Sequence, residues 1–177
     1  MKTDTGLVHI YCGNGKGKST AAAGLAIRCV GGGGKVLYYQ FLKDGSSGEI
    51  SILKSVPNIK VIDGYQLAKF SFLMNDEEKA ASKKYYTDKF HEITGQVTDG
   101  EYQLLIMDEA LDAINAGFLD LDDMLTFLKT KPEALEVVLT GRNPKEELCE
   151  AADYITDMQK IKHPYDKGIG ARKLIEK

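Results

Sequence analysis

The 177-residue chain has no tryptophan and only four prolines, three histidines and three cysteines. His9 lies in an apolar run, His91 in a charged stretch and His163 before Pro164, too few and too scattered for a zinc site. Cys12, Cys29 and Cys149 are odd in number, far apart and set among apolar neighbours, which suits reduced packing thiols better than bridges or metal ligands. No apolar run approaches the roughly 20 residues needed to span a bilayer. Residues 1–6 lack the charged-then-apolar pattern of a leader, so the expected location is the cytoplasm, with no membrane partner. Basic excess is missing too: 23 Lys and Arg face 26 Asp and Glu, for a net charge of −3, which gives no general field for nucleic acid. There is no nucleophile elbow or serine triad, and hence no support for covalent enzyme chemistry. No internal repeat, low-complexity segment or linker interrupts the chain, so one domain over residues 1–177 is expected.

What is present is a recurrent alternation. Residues 7–12, 35–41, 59–62, 104–107, 137–139 and 154–155 are short, β-branched or apolar runs that read as strands. Helical stretches fall between them: 19–29, 49–55, 76–97, 121–129 and 145–152. The longest carries Ala80, Tyr85, Phe90 and Ile93 among charges, and Asn75 followed by Glu78 has the form of a capping box. Apolar strands alternating with helices predict an α/β fold with a mostly parallel central sheet flanked by helices. Ligands of such sheets sit at the carboxyl ends of the strands.

Three groups of residues at those ends point to a nucleotide. Gly13-Asn14-Gly15-Lys16-Gly17-Lys18-Ser19-Thr20 lies between the first strand and the first helix, where backbone N–H groups and a helix N-terminus can cradle phosphates. The common G-x-x-x-x-G-K-[ST] pattern is missed by one residue, because Cys12 stands where its first glycine belongs. Lys18 is suited to neutralising phosphate oxygens, Ser19 to reaching Mg²⁺, and Thr20 and Lys16 to supporting contacts. Asp108-Glu109 closes a buried run, as metal-holding acids do, although the same pair could open a helix. Arg142, after Thr140-Gly141, is a clamp for phosphates only if the strand order brings it beside the glycine loop. Arg28, a further candidate for nucleotide contact, lies at the end of the first helix, where it reads more simply as a cation favouring a helix C-terminus.

Taken together, these motifs resemble the ATP:corrinoid adenosyltransferases. The resemblance runs over nearly the whole chain. It rests on the glycine loop with Ala21-Ala22, on Gln40-Phe41-Leu42-Lys43 with Gly48-Glu49, on Met107-Asp108-Glu109, on Leu139-Thr140-Gly141-Arg142, and on Ala152-Asp153 with Lys162-His163-Pro164. It accounts for the shortened loop and implies a RecA-like P-loop domain and a homodimer. The reaction it implies moves the 5′-deoxyadenosyl group of ATP to the Co(I) centre of a corrinoid, either cobalamin or a precursor, with release of triphosphate. Mg²⁺ would accompany ATP, and an electron donor such as a reduced flavoprotein would supply Co(I). Lys16, Lys18 and Arg142 would carry the catalytic charge, and Ser19, Asp108 and Glu109 would hold the metal. Phe70 and Phe72, in the stretch 64–74, match positions where the family places aromatic residues against the corrinoid; simple core packing is the alternative.

The sequence departs from the family pattern at Ser19, where threonine is usual, and in its tail, where Arg172 and Leu174 replace glutamine and glycine. Two other functions share the nucleotide motifs. A P-loop ATPase or kinase would release or transfer the terminal phosphate, and a nucleotide-gated corrinoid carrier would bind both ligands without turnover.

Overall fold

The computed structural model describes residues 5–65, 73–99 and 101–176. Six strands form one sheet in which every pairing is parallel: β1 (Val8–Cys12), β2 (Val36–Gln40), β3 (Ile59–Val61), β4 (Leu104–Asp108), β5 (Glu136–Thr140) and β6 (Tyr154–Asp157). Their order across the sheet is β3-β2-β4-β5-β1-β6. The helices are α1 (Lys18–Gly31), α2 (Gly48–Ser55), α3 (Asp76–Val97), α4 (Ala110–Asn115), α5 (Leu121–Thr130) and α6 (Glu146–Ala151).

Strand side chains alternate between two cores, because successive residues point to opposite faces. Val36, Tyr38, Leu104, Ile106 and Val138 pack with Ala22 and Ala26 of α1 and Ile50 and Leu53 of α2. Leu37, Tyr39, Leu105, Met107, Val137 and Leu139 pack on the other face against α3, α4, α5 and α6. With both faces covered, β2 and β4 are buried along their whole length, which is why they read as continuous apolar runs. β6 is the exception, a four-residue edge strand exposed throughout.

The capping box of α3 is formed: Asn75 Oδ1 accepts from the Glu78 N–H at 2.8 Å, and Glu78 Oε2 accepts from the Asn75 N–H at 2.9 Å. Its buried stripe is Ser82, Tyr86, Phe90, Ile93 and Val97, in place of the expected face containing Ala80 and Tyr85. Steps of three or four residues hold one face of a helix, whereas Tyr85 and Phe90 are five apart and diverge. The sequence reading also lacked α4, a six-residue helix too short for a periodic signal.

Register aligns the carboxyl ends of the strands. Gln40 is opposite Asp108, Met107 opposite Leu139, Tyr11 opposite Thr140, and Cys12 opposite Asp157. The loops leaving β1, β2, β4, β5 and β6 therefore emerge along one edge.

Candidate active site

The glycine loop turns directly from β1 into α1. Cys12 is the buried last residue of β1 and faces the core, so the turn begins one residue later, at Gly13 with φ 104°. Gly17, at φ 119°, precedes the first helical residue, Lys18. These left-handed values favour glycine. The loop rests on the segment after β6: the Gly15 N–H donates to the Met158 carbonyl, and a Cβ on Gly15 would collide with that same oxygen.

The Lys18 ammonium donates to the carbonyls of Gly13 at 2.8 Å and Gly15 at 3.0 Å, across the concavity of the loop. Burial lowers its pKa, and the nearby Arg142 cation lowers it further, against the opposing carboxylates of Glu109, Asp112 and Asp108. The strand order thus brings Arg142 within the field of Lys18, because β5 lies beside β1 and the Gly141 N–H donates to the Tyr11 carbonyl at 3.2 Å. The Arg142 backbone N–H is held by Asp112 Oδ2 at 3.0 Å, while its side chain belongs to an exposed residue. A cavity of about 410 Å³ beside the loop is lined by Gly13, Asn14, Asn143, Asp157, Gln159 and Lys160 among others, leaving polar room next to the glycine loop.

Asp108 ends β4 with its side chain fully buried, and Thr140 donates to its Oδ1 at 2.6 Å. The same threonine oxygen accepts from the Glu109 N–H at 3.0 Å. Glu109 does open a helix, α4, but its side chain makes no capping hydrogen bond and its backbone is left-handed at φ 60°. Burial pushes the Glu109 carboxyl up to about 7; Asp108 and Asp112 also raise it, and Lys43 opposes them.

Oxygen donors from a hydroxyl and carboxylates suit a hard divalent cation, so Ser19, Asp108 and Glu109 fit Mg²⁺ by chemistry. Among the described residues no group of three or more His, Cys, Asp or Glu could hold a metal by itself. A protein cation already stands at these oxygens. Lys43 Nζ is 2.9 Å from Asp108 Oδ2, 3.5 Å from Ser19 Oγ and 3.6 Å from Glu109 Oε1. Burial would lower the Lys43 pKa, but Asp108 and Glu109 outweigh it and hold the ammonium above its ordinary value. Gln40 joins the network, donating to Asp108 Oδ2 at 3.0 Å and to Glu49 Oε1 at 3.3 Å.

Lys43, Gln40, Glu49 and Thr140 were in the motifs but had no assigned role. For Gln40, Thr140 and Lys43 the available signal was position, at or just after the ends of buried strands, where polar residues need partners. Glu49 and Asp112, in the first turns of α2 and α4, carried no such signal.

Other candidates stand apart. Lys16 is exposed and paired with Glu176 of the tail at 3.3 Å. Glu176 also takes a forked pair of bonds from Arg172, at 2.8 and 3.1 Å, so the departure at Arg172 supplies a partner within the tail itself. Asn14 and Thr20 are exposed on the loop and first helical turn. Arg28 lies in the last turn of α1, exposed and ten residues from Lys18, about 15 Å along the helix, and is not brought to the loop. Phe70 and Phe72 lie outside the described residues. Next to that stretch, Tyr65 stacks on Tyr85 with centroids 4.1 Å apart and meets Tyr86 edge-on.

A glycine loop between β1 and α1 of a parallel sheet, facing an acid at the end of β4, defines the class: a P-loop nucleotide-binding α/β protein. Among solved structures, EccC (ATPases 2 and 3) from Thermomonospora curvata has a similar fold, with a TM-score of 0.51 and 16% identity over 93% of this chain. The chain spans 33% of that structure. Residues 4–176 match the family described as ATP:corrinoid adenosyltransferase BtuR/CobO/CobP, and the chain belongs to that enzyme family. It is 32% identical over 177 residues to the corrinoid adenosyltransferase of Pseudomonas aeruginosa, covering 99% of this chain and 85% of that protein. A corrinoid adenosyltransferase of Sinorhizobium sp is 33% identical, with 99% and 82% covered, and that of Escherichia coli K12 is 26% identical, with 96% and 84% covered.

Proposed function

We propose that this protein transfers the 5′-deoxyadenosyl group of ATP to the Co(I) centre of a corrinoid, with triphosphate as the leaving group. The cobalt lone pair forms the Co–C5′ bond, and the electrons of the C5′–O bond leave with the triphosphate. The protein's task is then to bind and orient a highly charged chain and to meet the charge that develops on its departing oxygen. Lys18, with Lys16 and Arg142, takes the phosphates; Ser19, Asp108 and Glu109 hold Mg²⁺, which supplies further neutralisation when bound.

The observation that carries this reading is the Lys18 ammonium bonded across the glycine loop to the Gly13 and Gly15 carbonyls, in the field of Arg142 from the end of β5 and of Asp108, Glu109 and Asp112 from the end of β4. Such a constellation suits a phosphate chain with its metal, and membership of the family supports corrinoid as the acceptor.

The test is an anaerobic spectral assay with chemically reduced cob(I)alamin, Mg²⁺ and ATP, read for adenosyl–cobalt and for triphosphate. Stoichiometric appearance of both supports the assignment. Release of inorganic phosphate without an alkyl–cobalt product would make the protein a terminal-phosphate enzyme instead. Lys18→Ala, folded by circular dichroism, is expected to lower kcat by about 10²–10³-fold; unchanged turnover would remove Lys18 from the catalytic set.

A further inference from the structure

The contacts of Lys43 assign it a task. Both oxygens of buried Asp108 are already bonded within the protein: Oδ1 accepts from Thr140, and Oδ2 from Gln40 and from the Lys43 ammonium. The same ammonium lies at hydrogen-bonding range from Ser19 Oγ, 3.5 Å, and within ion-pair range of Glu109, 3.6 Å. All three residues assigned above to Mg²⁺ are thus gathered around one protein cation.

The backbone is bent to put it there. β2 ends at Gln40, and Leu42 adopts a left-handed φ of 55°, a conformation disfavoured for a residue with a Cβ. The Leu42 side chain packs against the core cluster that contains Tyr86 of α3, so the turn is anchored from the core side. A strained turn anchored on the core and directing a lysine onto a carboxylate is the pattern of a site device rather than a solvated loop.

We propose that Lys43 is a positioning residue acting as a tethered counter-ion of the magnesium site. It holds Asp108 and Ser19 in place in the nucleotide-free protein and is displaced when the metal arrives. The inference rests on the reading above that Ser19, Asp108 and Glu109 hold Mg²⁺. An ammonium and a divalent ion compete for these oxygens, since Asp108 Oδ2 already accepts from Gln40 and Lys43 and the two cations repel each other. The flexible stem of a lysine lets the charge leave without moving the backbone. Bare metal therefore binds weakly, whereas metal carried by a triphosphate brings negative charge for both the ion and the displaced ammonium.

The experiment is a titration of nucleotide-free, corrinoid-free protein with Mn²⁺, followed by electron paramagnetic resonance, for the wild type, Lys43→Met and Lys43→Arg. Lys43→Met is expected to bind Mn²⁺ about tenfold or more tighter than the wild type, and Lys43→Arg, which keeps the charge, to stay weak. Equal or weaker binding by folded Lys43→Met overturns the proposal. A second measurement needs only wild-type protein for its readout: the ¹⁵N signal of the Lys43 ammonium, assigned from its loss in Lys43→Arg, should shift and broaden as Mg·ATP is added. Its persistence unchanged at saturation overturns the proposal as well. Failure of adenosylation with the expected Mn²⁺ titration would count against the proposed reaction alone; normal adenosylation with equal Mn²⁺ affinities would count against the role of Lys43 alone.

Discussion

Asp108 and Glu109 are adjacent acids with different surroundings. Asp108 is enclosed and fully bonded, by Thr140 on one oxygen and by Gln40 and Lys43 on the other. Glu109 is mostly buried beside other acids, and its carboxyl is pushed up to about 7. Between the ordinary glutamate value and 7 the folded protein keeps a proton that the unfolded chain has lost, so this group's contribution to stability falls as pH rises through that window. Above pH 7 the ionised group is held where it is disfavoured. Glu109→Gln removes that penalty, and in metal-free buffer the variant is expected to be more stable than the wild type by about 1–3 kcal/mol at pH 8. The advantage should shrink towards zero near pH 4.5. Urea unfolding at the two pH values checks this, and the same offset at both would show that packing, not ionisation, sets the difference.

Among the elements, α3 links stability to the site. Its capping box fixes where the helix starts, beside buried Met74, and its stripe puts Tyr86 into the core cluster against which Leu42, next to Lys43, packs. Asn75→Ala removes the acceptor for the Glu78 N–H and is expected to cost about 1 kcal/mol in urea unfolding. Asn75→Asp, which keeps a capping oxygen, should recover most of that; a loss as large as that of alanine would show that the side chain acts through something other than the cap.

Across the whole molecule, the strand order decides which loops meet. β1 lies between β5 and β6, so the glycine loop has Arg142 on one side and the Asp157-Met158 segment on the other. The exposed C-terminal region thereby meets the glycine loop twice, first as the backing of Gly13 and Gly15 and again through Glu176 on Lys16. Gly15→Ala drives a methyl group into the Met158 carbonyl and must separate the loop from β6. A stability loss of about 1–3 kcal/mol is expected, together with weaker Mg·ATP binding, read by thermal unfolding and calorimetry. Unchanged binding would mean that the loop keeps its shape without the backing.

The sequence by itself determined the parallel α/β class, the glycine loop at the first strand end, the acid pair closing β4 and the α3 cap. Each of these is written in a local pattern: apolar runs of strand length, glycines where φ is positive, a capping pair three residues apart. Tertiary structure decided the rest. Which face of α3 is buried depended on its contacts with the sheet, and Arg142 joined Lys18 only because β5 lies next to β1. The cluster of Lys43, Gln40 and Thr140 on Asp108 is assembled from β2, β4 and β5, with partners 32 to 68 residues apart in sequence. Spacing along one strand cannot express such a meeting, because it is created by register between strands, and register is fixed only when the two cores form.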